Sequence, residues 1–169
     1  KQIIFLNPVF KQMIWGGNRL STDFGYDIPG DNTGECWGIS AHPNGDDSIA
    51  MIAMPDDTFT ALDEHPELFG NIEGDRFPLL IKIIDAKDNL SIQVHPYDGM
   101  LQEENGSLGK TECWYIIDCP DDAKLVVGHN AKTHEELSDM IHEGRWDEFI
   151  RYVPIKKGDF IQIDPGTVH

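Results

Sequence analysis

The stretch that decides the fold is LSIQVHP, residues 90–96. Polar and aliphatic residues alternate along it, and residues two apart in a β-strand point to the same face. Ser91, Gln93 and His95 therefore share one face, and the aliphatic residues share the face that packs toward a core. A hydroxyl, an amide oxygen and an imidazole suit zinc or a similar divalent metal. Taken alone, the stretch favours an ordinary half-buried strand with an exposed histidine over a metal site.

Short strand patterns and turns continue on both sides of this stretch. Strands are predicted over 35–40, 48–54, 79–84, 110–117, 125–128, 151–153 and 160–163, and helices over 60–69, 133–142 and 145–150. The Asn44-Gly45 pair predicts a hairpin between the first two strands. Thr133 and Glu136 form a capping box that opens a helix. Many short strands with few helices indicate an all-β barrel or sandwich with helices attached at one side.

Length and charge exclude several classes of protein. The chain has 169 residues, which suits one domain over residues 1–169, and its hydrophobic content of 40% is that of a globular protein. Lys and Arg number 13 against 30 Asp and Glu, a net charge of -17 that argues against nucleic-acid and membrane partners. No run approaches the ~18 apolar residues of a membrane helix. Three cysteines without a CxxC pair predict a reducing, cytoplasmic setting.

Four side chains from strands or strand ends could meet at one metal. They are Gln93, His95, Glu112 and His169. Two histidines and a carboxylate leave coordination positions open to water or substrate, as catalytic sites do. Without cysteine ligands, zinc is the predicted metal, and manganese, iron and cobalt stay open. The other five histidines fall in turns or helices and are predicted to be surface residues.

Two lysines need a physical reason for their positions. Lys82 stands in the middle of an aliphatic strand pattern, where a charge requires a sheet edge or a polar cavity. Lys110 shares a strand face with Glu112 by alternation. In so acidic a protein, an anionic small substrate must be held by locally placed lysines, because the overall field repels it.

Five segments carry a resemblance to a known family. They are WGG at 15–17, GECWGIS at 34–40, FPLLIKIIDAKDNLSIQVHP at 77–96, GKTECWYII at 109–117 and GDFIQIDPGTVH at 158–169. Together, and in this order, they resemble the type I mannose-6-phosphate isomerases in their shorter bacterial form. The last segment also resembles the second metal motif of cupin barrels, although Pro165 stands one place later than in that motif. The resemblance implies a mainly β, cupin-type jelly-roll barrel with a few short helices at one side.

The resemblance also implies an activity and a role for individual residues. It implies a zinc-dependent isomerase that interconverts mannose 6-phosphate and fructose 6-phosphate through an enediol. The implied metal ligands are Gln93, His95, Glu112 and His169. For the shorter bacterial form the alternative is that Gln93 is only an outer contact and does not bind the metal. Lys110 is the implied catalytic residue beside the substrate, and Lys82 and Ser91 are implied to hold the phosphate.

Two other functions compete with this one. The first is a non-catalytic metal-binding cupin that binds a sugar phosphate, and the second is a purely structural β domain with incidental histidines. In the family the chain continues beyond GTVH with further strands and a catalytic arginine, so the resemblance implies that residues 1–169 are the N-terminal part of a longer isomerase. Such a piece is predicted to bind metal but to isomerise weakly. An unpaired strand edge then favours dimerisation.

Overall fold

A computed structural model describes residues 5–42, 45–46, 48–49, 64–71, 79–97 and 109–169. These residues form antiparallel sheets with few helices, so the predicted mainly β class is confirmed. Within these ranges, no helix has the length and apolar character that crossing a membrane requires. The chain divides into two compact units, Lys1–Leu90 and Ser91–His169, and each is described by itself.

The first unit is built on a three-stranded antiparallel sheet. Its elements are β1 Leu6–Asn7, β2 Val9–Gly17, α1 Arg19–Thr22, β3 Thr33–Ile39, β4 Ala41–His42, β5 Gly45–Asp46, β6 Ser48–Ile49, a 3₁₀ turn Pro66–Phe69 and β7 Ile81–Ile84. The sheet has the order β2-β3-β7, so β7 is an edge strand among the described residues. Trp15, Leu20, Cys36 and Trp37 are buried. Gly16 lets β2 approach β3, because a Cβ there would overlap neighbouring backbone atoms.

Two predictions in the first unit are wrong in part. The strand predicted to begin at Ser48 does not return along β3, because β6 pairs with β1 and the hairpin joins β4 to β5. Residues 50–54 lie outside the described residues. The predicted helix over 60–69 also begins outside them, and its described end is the short 3₁₀ turn. Pro66 explains this, since it restricts His65 to a non-helical conformation. Gly70 ends the turn with a φ of 80°.

The described residues of the second unit form two strand pairs and two helices. Its elements are β8 Glu112–Tyr115, β9 Lys124–His129, α2 His134–His142, α3 Trp146–Phe149, β10 Ile150–Pro154 and β11 Phe160–Ile163. β8 pairs with β11 and β9 with β10, both antiparallel. Met140, Phe149 and Ile163 are buried. These strands and helices lie where the sequence predicts them: β8 and both helices are shorter than predicted, β9 and β10 are longer, and β11 has the predicted bounds.

The capping box of α2 is confirmed in its first half. The hydroxyl of Thr133 accepts a hydrogen bond from the backbone N–H of Glu136 at 3.1 Å. The Glu136 carboxylate reaches back to the N–H of Lys132 rather than to that of Thr133. Both bonds satisfy donors at the start of the helix, which otherwise have no intrahelical partner.

The strand predicted over residues 90–95 is wrong as a regular strand. It makes one isolated antiparallel bridge, between Val94 and Val168. The partner segment is short because a turn precedes it, in which the N–H of Thr167 bonds to the carbonyl of Asp164. The predicted aliphatic face is not a core face either, since Ile92 is 50% exposed and Val94 is 51% exposed.

Candidate metal centre

Three of the four predicted ligands lie close together in the second unit. His95, Glu112 and His169 each offer one ligand atom, and these atoms lie within 4.8 Å of one another. The distance from His95 Nε2 to Glu112 Oε2 is 3.5 Å, and that from His169 Nε2 to Glu112 Oε1 is 3.2 Å. His169 is buried, and the other two side chains are half-buried. The carboxylate therefore lies between two imidazoles.

Backbone hydrogen bonds bring the two histidines together. Gln93 and His169 exchange both of their backbone hydrogen bonds, at 2.7 and 2.9 Å. The N–H of Gly166 donates to the carbonyl of His95 at 2.7 Å. Gly166 has a φ of 82°, and a Cβ there would lie 2.8 Å from the hydroxyl of Tyr97. The turn before His169 thus depends on a residue without a side chain.

The ring of His169 is held in one orientation. Its Nδ1 lies 2.8 Å from the carbonyl oxygen of Thr167, so Nδ1–H donates there and Nε2 is the nitrogen that faces Glu112. That Nε2 is buried and makes no hydrogen bond within the described part of the chain. A buried nitrogen that lies 3.2 Å from a carboxylate oxygen without the geometry of a hydrogen bond fits a metal ligand.

The surroundings of the other two predicted ligands shift their pKa values toward the forms that bind metals. Burial raises the pKa of Glu112, but the hydrogen bond and charge of Lys110 and the two histidines outweigh it, so the pKa lies below its ordinary value. Burial, and then the charge of Lys110, lower the pKa of His95. An ionised carboxylate and a neutral imidazole are the ligand forms of these groups.

Lys110 touches both of these ligands. Its Nζ lies 2.6 Å from Glu112 Oε2 and 3.0 Å from His95 Nε2. Because an ammonium only donates, the ring nitrogen of His95 must accept. Lys110 is itself 48% exposed along its side chain, so it also faces solvent. The shared strand face predicted for Lys110 and Glu112 is confirmed by this contact.

The remaining predicted residues have other surroundings. Gln93 is tied to His169 through its backbone, and its side chain is exposed. Ser91 is exposed, two residues earlier. In the first unit, the Nζ of Lys82 donates to Glu35 at 3.1 Å and lies 4.6 Å from the centre of the Trp37 ring. An edge strand and a carboxylate therefore account for the charge on Lys82, and the roles of these three residues stay predictions.

Sequence reasoning missed one contact of the site and misplaced one histidine. Trp114 donates its indole N–H to Oε1 of Glu112 at 3.1 Å, and the spacing of two residues along a strand could have shown it.

His129, predicted to be a surface residue, is half-buried and stacks on Phe149 at 5.4 Å. Its Nδ1 is buried, so that prediction is wrong for His129.

The mainly β fold is of the cupin type, and two histidines and a carboxylate on neighbouring segments form a candidate metal centre in it. The family model described as "Phosphomannose isomerase type I, catalytic domain" matches residues 3–106. The chain therefore belongs to the type I phosphomannose isomerase family, as the sequence motifs predicted.

Individual relatives agree with this assignment. The mannose-6-phosphate isomerase ManA of Bacillus subtilis is 54% identical over 168 residues, which are 98% of this chain and 53% of that protein. A mannose-6-phosphate isomerase of Streptococcus mutans is 49% identical over 169 residues. The crystal structure of the mannose 6-phosphate isomerase from Bacillus subtilis matches with a TM-score of 0.96 and 49% identity, over 100% of this chain and 55% of that chain. The predicted cupin-type fold is thus confirmed, and the chain spans about half the length of the curated relatives it matches.

Proposed function

We propose that the protein is a metal-dependent aldose–ketose isomerase that interconverts mannose 6-phosphate and fructose 6-phosphate. Its family and the names of its relatives support this activity. The single observation that carries the proposal is the grouping of His95, Glu112 and His169 within 4.8 Å. Such a set leaves coordination positions open for the adjacent oxygens of a sugar.

The metal is proposed to be zinc, with manganese, iron and cobalt as the alternatives. Nitrogen and carboxylate ligands without cysteine accept all four ions. His95, Glu112 and His169 would hold it, and Gln93 would join them or remain an outer contact. When bound, a divalent cation polarises the oxygens on C1 and C2 and stabilises the negative charge of an enediolate.

The chain's own residues must move protons. In the forward direction, the hydrogen on C2 is removed and a proton is returned to C1, while the hydroxyl proton passes from O2 to O1. We propose that the Nζ of Lys110 donates to the oxygen on which negative charge develops, since its ammonium is half exposed beside the ligands. As an ammonium it cannot also accept the carbon-bound proton, so the reaction needs a separate base.

The phosphate is proposed to be held by Lys82 and Ser91. Lys82 supplies a part-buried positive charge in a protein whose net charge is -17. Charge-assisted hydrogen bonds from lysine and a serine hydroxyl are strong contacts for phosphate oxygens. Glu35 and Trp37 would keep the ammonium in place before the substrate arrives.

Turnover by the 169-residue chain tests the proposal. The conversion of mannose 6-phosphate is measured for the untreated protein, after chelation, and after zinc is added back. We expect weak turnover that chelation abolishes and zinc restores. His95→Ala should abolish it, and His134→Ala should not, because His134 is an exposed residue of α2. Turnover that His95→Ala leaves unchanged would overturn the proposal.

Calorimetry separates this function from its alternative. A non-catalytic metal-binding cupin would bind zinc and mannose 6-phosphate but would show no conversion even with excess enzyme. An isomerase would show both binding and conversion. Neither zinc binding nor sugar-phosphate binding would leave only a structural β domain.

Location and assembly are proposed on separate grounds. Cys36, Cys113 and Cys119 form no disulfide with one another, which supports a reducing cytoplasm. We propose no nucleic-acid or membrane partner, because the net charge is -17.

A dimer through a strand edge is supported by the two-stranded sheet that β8 and β11 form among the described residues, and light scattering of the purified chain tests it. The assignment of residues 1–169 to a single cupin-like catalytic domain stays a prediction.

A further inference from the structure

We infer that Trp114 is a positioning residue of the metal centre, whose indole N–H holds the Glu112 carboxylate in the orientation that faces both histidines. The inference rests on the metal-binding part of the proposed function. It assigns a role to a side chain that carries no ligand atom of its own.

Trp114 contacts two of the three grouped side chains. Its Nε1–H donates to Glu112 Oε1 at 3.1 Å. Its ring meets the ring of His169 edge-on, with centroids 6.1 Å apart and planes 77° apart. The residue is half-buried on β8, two positions after Glu112, so both side chains project from the same strand face. One rigid ring therefore restrains the carboxylate by a hydrogen bond and the imidazole by packing.

The two oxygens of Glu112 have different partners. Oε1 accepts from Trp114 and lies 3.2 Å from His169 Nε2. Oε2 accepts from Lys110 and lies 3.5 Å from His95 Nε2. A donor on each oxygen opposes rotation of the carboxylate about its last bond. Of the two donors, the lysine is long and 48% exposed, so the indole is the more rigid restraint.

Loss of that restraint should weaken metal binding. Partners that orient a ligand without touching the ion typically change metal affinity by ~10–100-fold. Without the indole N–H, the carboxylate can turn away from the histidines, and binding must then order it. The chemistry of the ligands themselves is unchanged, so the effect should fall on affinity and on ligand geometry.

The chain offers a matched control for the same change. Trp37 donates its indole N–H to Glu35, also two residues earlier on a strand, at 2.6 Å. Glu35 is not one of the three grouped side chains. Trp37→Phe therefore removes an equivalent hydrogen bond from a carboxylate that is not a proposed ligand.

The test is a Co²⁺ titration of the metal-free, full 169-residue chain, followed by visible absorption, which reports the geometry of the ligands. We expect Trp114→Phe to weaken Co²⁺ binding by ~10-fold or more and to change the spectrum. Trp37→Phe should leave both unchanged. Equal affinity and an identical spectrum for Trp114→Phe would overturn the inference. Failure of the unchanged protein to bind Co²⁺ would overturn the proposed metal centre as well.

A second measurement does not depend on how well the variant folds. In the unchanged protein, the indole N–H resonance of Trp114 is followed by ¹⁵N NMR while zinc is added. We expect it to shift and to saturate at one equivalent, while the resonance of Trp37 stays in place. A Trp114 resonance that does not respond while zinc binds would contradict the inference.

Discussion

The tripeptide Glu-Cys-Trp occurs once in each unit, at residues 35–37 on β3 and at residues 112–114 on β8. In both, the tryptophan donates its indole N–H to the glutamate two residues earlier, at 2.6 Å in the first and 3.1 Å in the second. In both, a lysine ammonium also binds that carboxylate, at 3.1 Å and 2.6 Å. The same local chemistry is thus built twice.

The two copies differ in what surrounds them. On β3, the lysine is Lys82, which also lies over the ring of Trp37, and Lys11 lies 4.8 Å from the same ring. On β8, the lysine is Lys110, which turns to the ring of His95, and His169 faces the other carboxylate oxygen. The contact between the glutamate and the tryptophan is therefore a product of strand spacing, whereas the lysine comes from the neighbouring strand β7 in the first copy and from two residues before Glu112 in the second. The copy on β8 is a candidate metal centre because backbone pairing between residues far apart in the sequence brings two histidines to its glutamate.

The largest contrast is expected between the two glutamates. Glu112→Gln should weaken zinc binding by more than the ~100-fold that outer contacts account for, because it removes the only charged ligand of the group. Glu35→Gln should leave zinc binding unchanged. Competition with a chromophoric chelator measures both affinities. Equal losses in the two variants would mean that the tripeptide on β8 has no special role.

A smaller contrast is expected between two glycines with a positive φ. Gly166 and Gly158 have φ values of 82° and 90°, so alanine at either should cost about 1–2 kcal/mol of stability. A Cβ at Gly158 meets nothing within 4 Å, whereas one at Gly166 must displace Tyr97. We therefore expect Gly166→Ala to be the less stable variant in urea and to bind zinc several-fold more weakly. Identical zinc affinities would show that the turn does not position His169.

Only one of the two lysines should affect metal binding. Lys110→Met removes a positive charge 2.6 Å from a ligand oxygen. It should tighten zinc binding by up to about fivefold, since part-exposed ion pairs contribute ~0.2–1 kcal/mol. Lys82→Met should leave zinc affinity unchanged and raise the KM for mannose 6-phosphate. Weaker zinc binding in Lys110→Met would contradict this account of the site.

The smallest effect on the site is expected from the cap of α2. Thr133→Ala removes the acceptor for the N–H of Glu136 and should cost about 1 kcal/mol of stability. Thr133→Ser keeps the hydroxyl and should restore most of it. Neither variant should alter zinc affinity, which separates the stability of the second unit from the integrity of its metal centre. Urea unfolding and chelator competition on the same samples measure both quantities.

Features that depend on neighbouring residues could be predicted from the sequence. The capping box at Thr133, the helix it opens and the strands β8 and β11 carry local signals, and the structure has them. The resemblance also named the three side chains that the structure brings together. Their role as ligands stays a prediction, as does that of Gln93.

Features that depend on distant partners could not be predicted. The alternation over residues 90–95 indicates a strand, but a regular strand also needs a partner segment of similar length. The turn from Asp164 to Thr167 shortens that partner, so one isolated bridge forms. β6 pairs with β1 rather than with β3, and its two residues carry no signal for either choice. The contact of Trp114 with Glu112 is local and follows from the strand spacing, but an aromatic residue on a strand ordinarily indicates packing rather than a hydrogen-bond donor.

The backbone pairing of Gln93 with His169 joins the beginning of the second unit to its end. An ion held by His95 and His169 would therefore close a long loop of chain, and loop closure removes conformational entropy from the unfolded ensemble. Because binding favours the folded form, the melting temperature of this unit would rise with the concentration of free ion. The cation proposed for catalysis would then also stabilise the folded state of this unit.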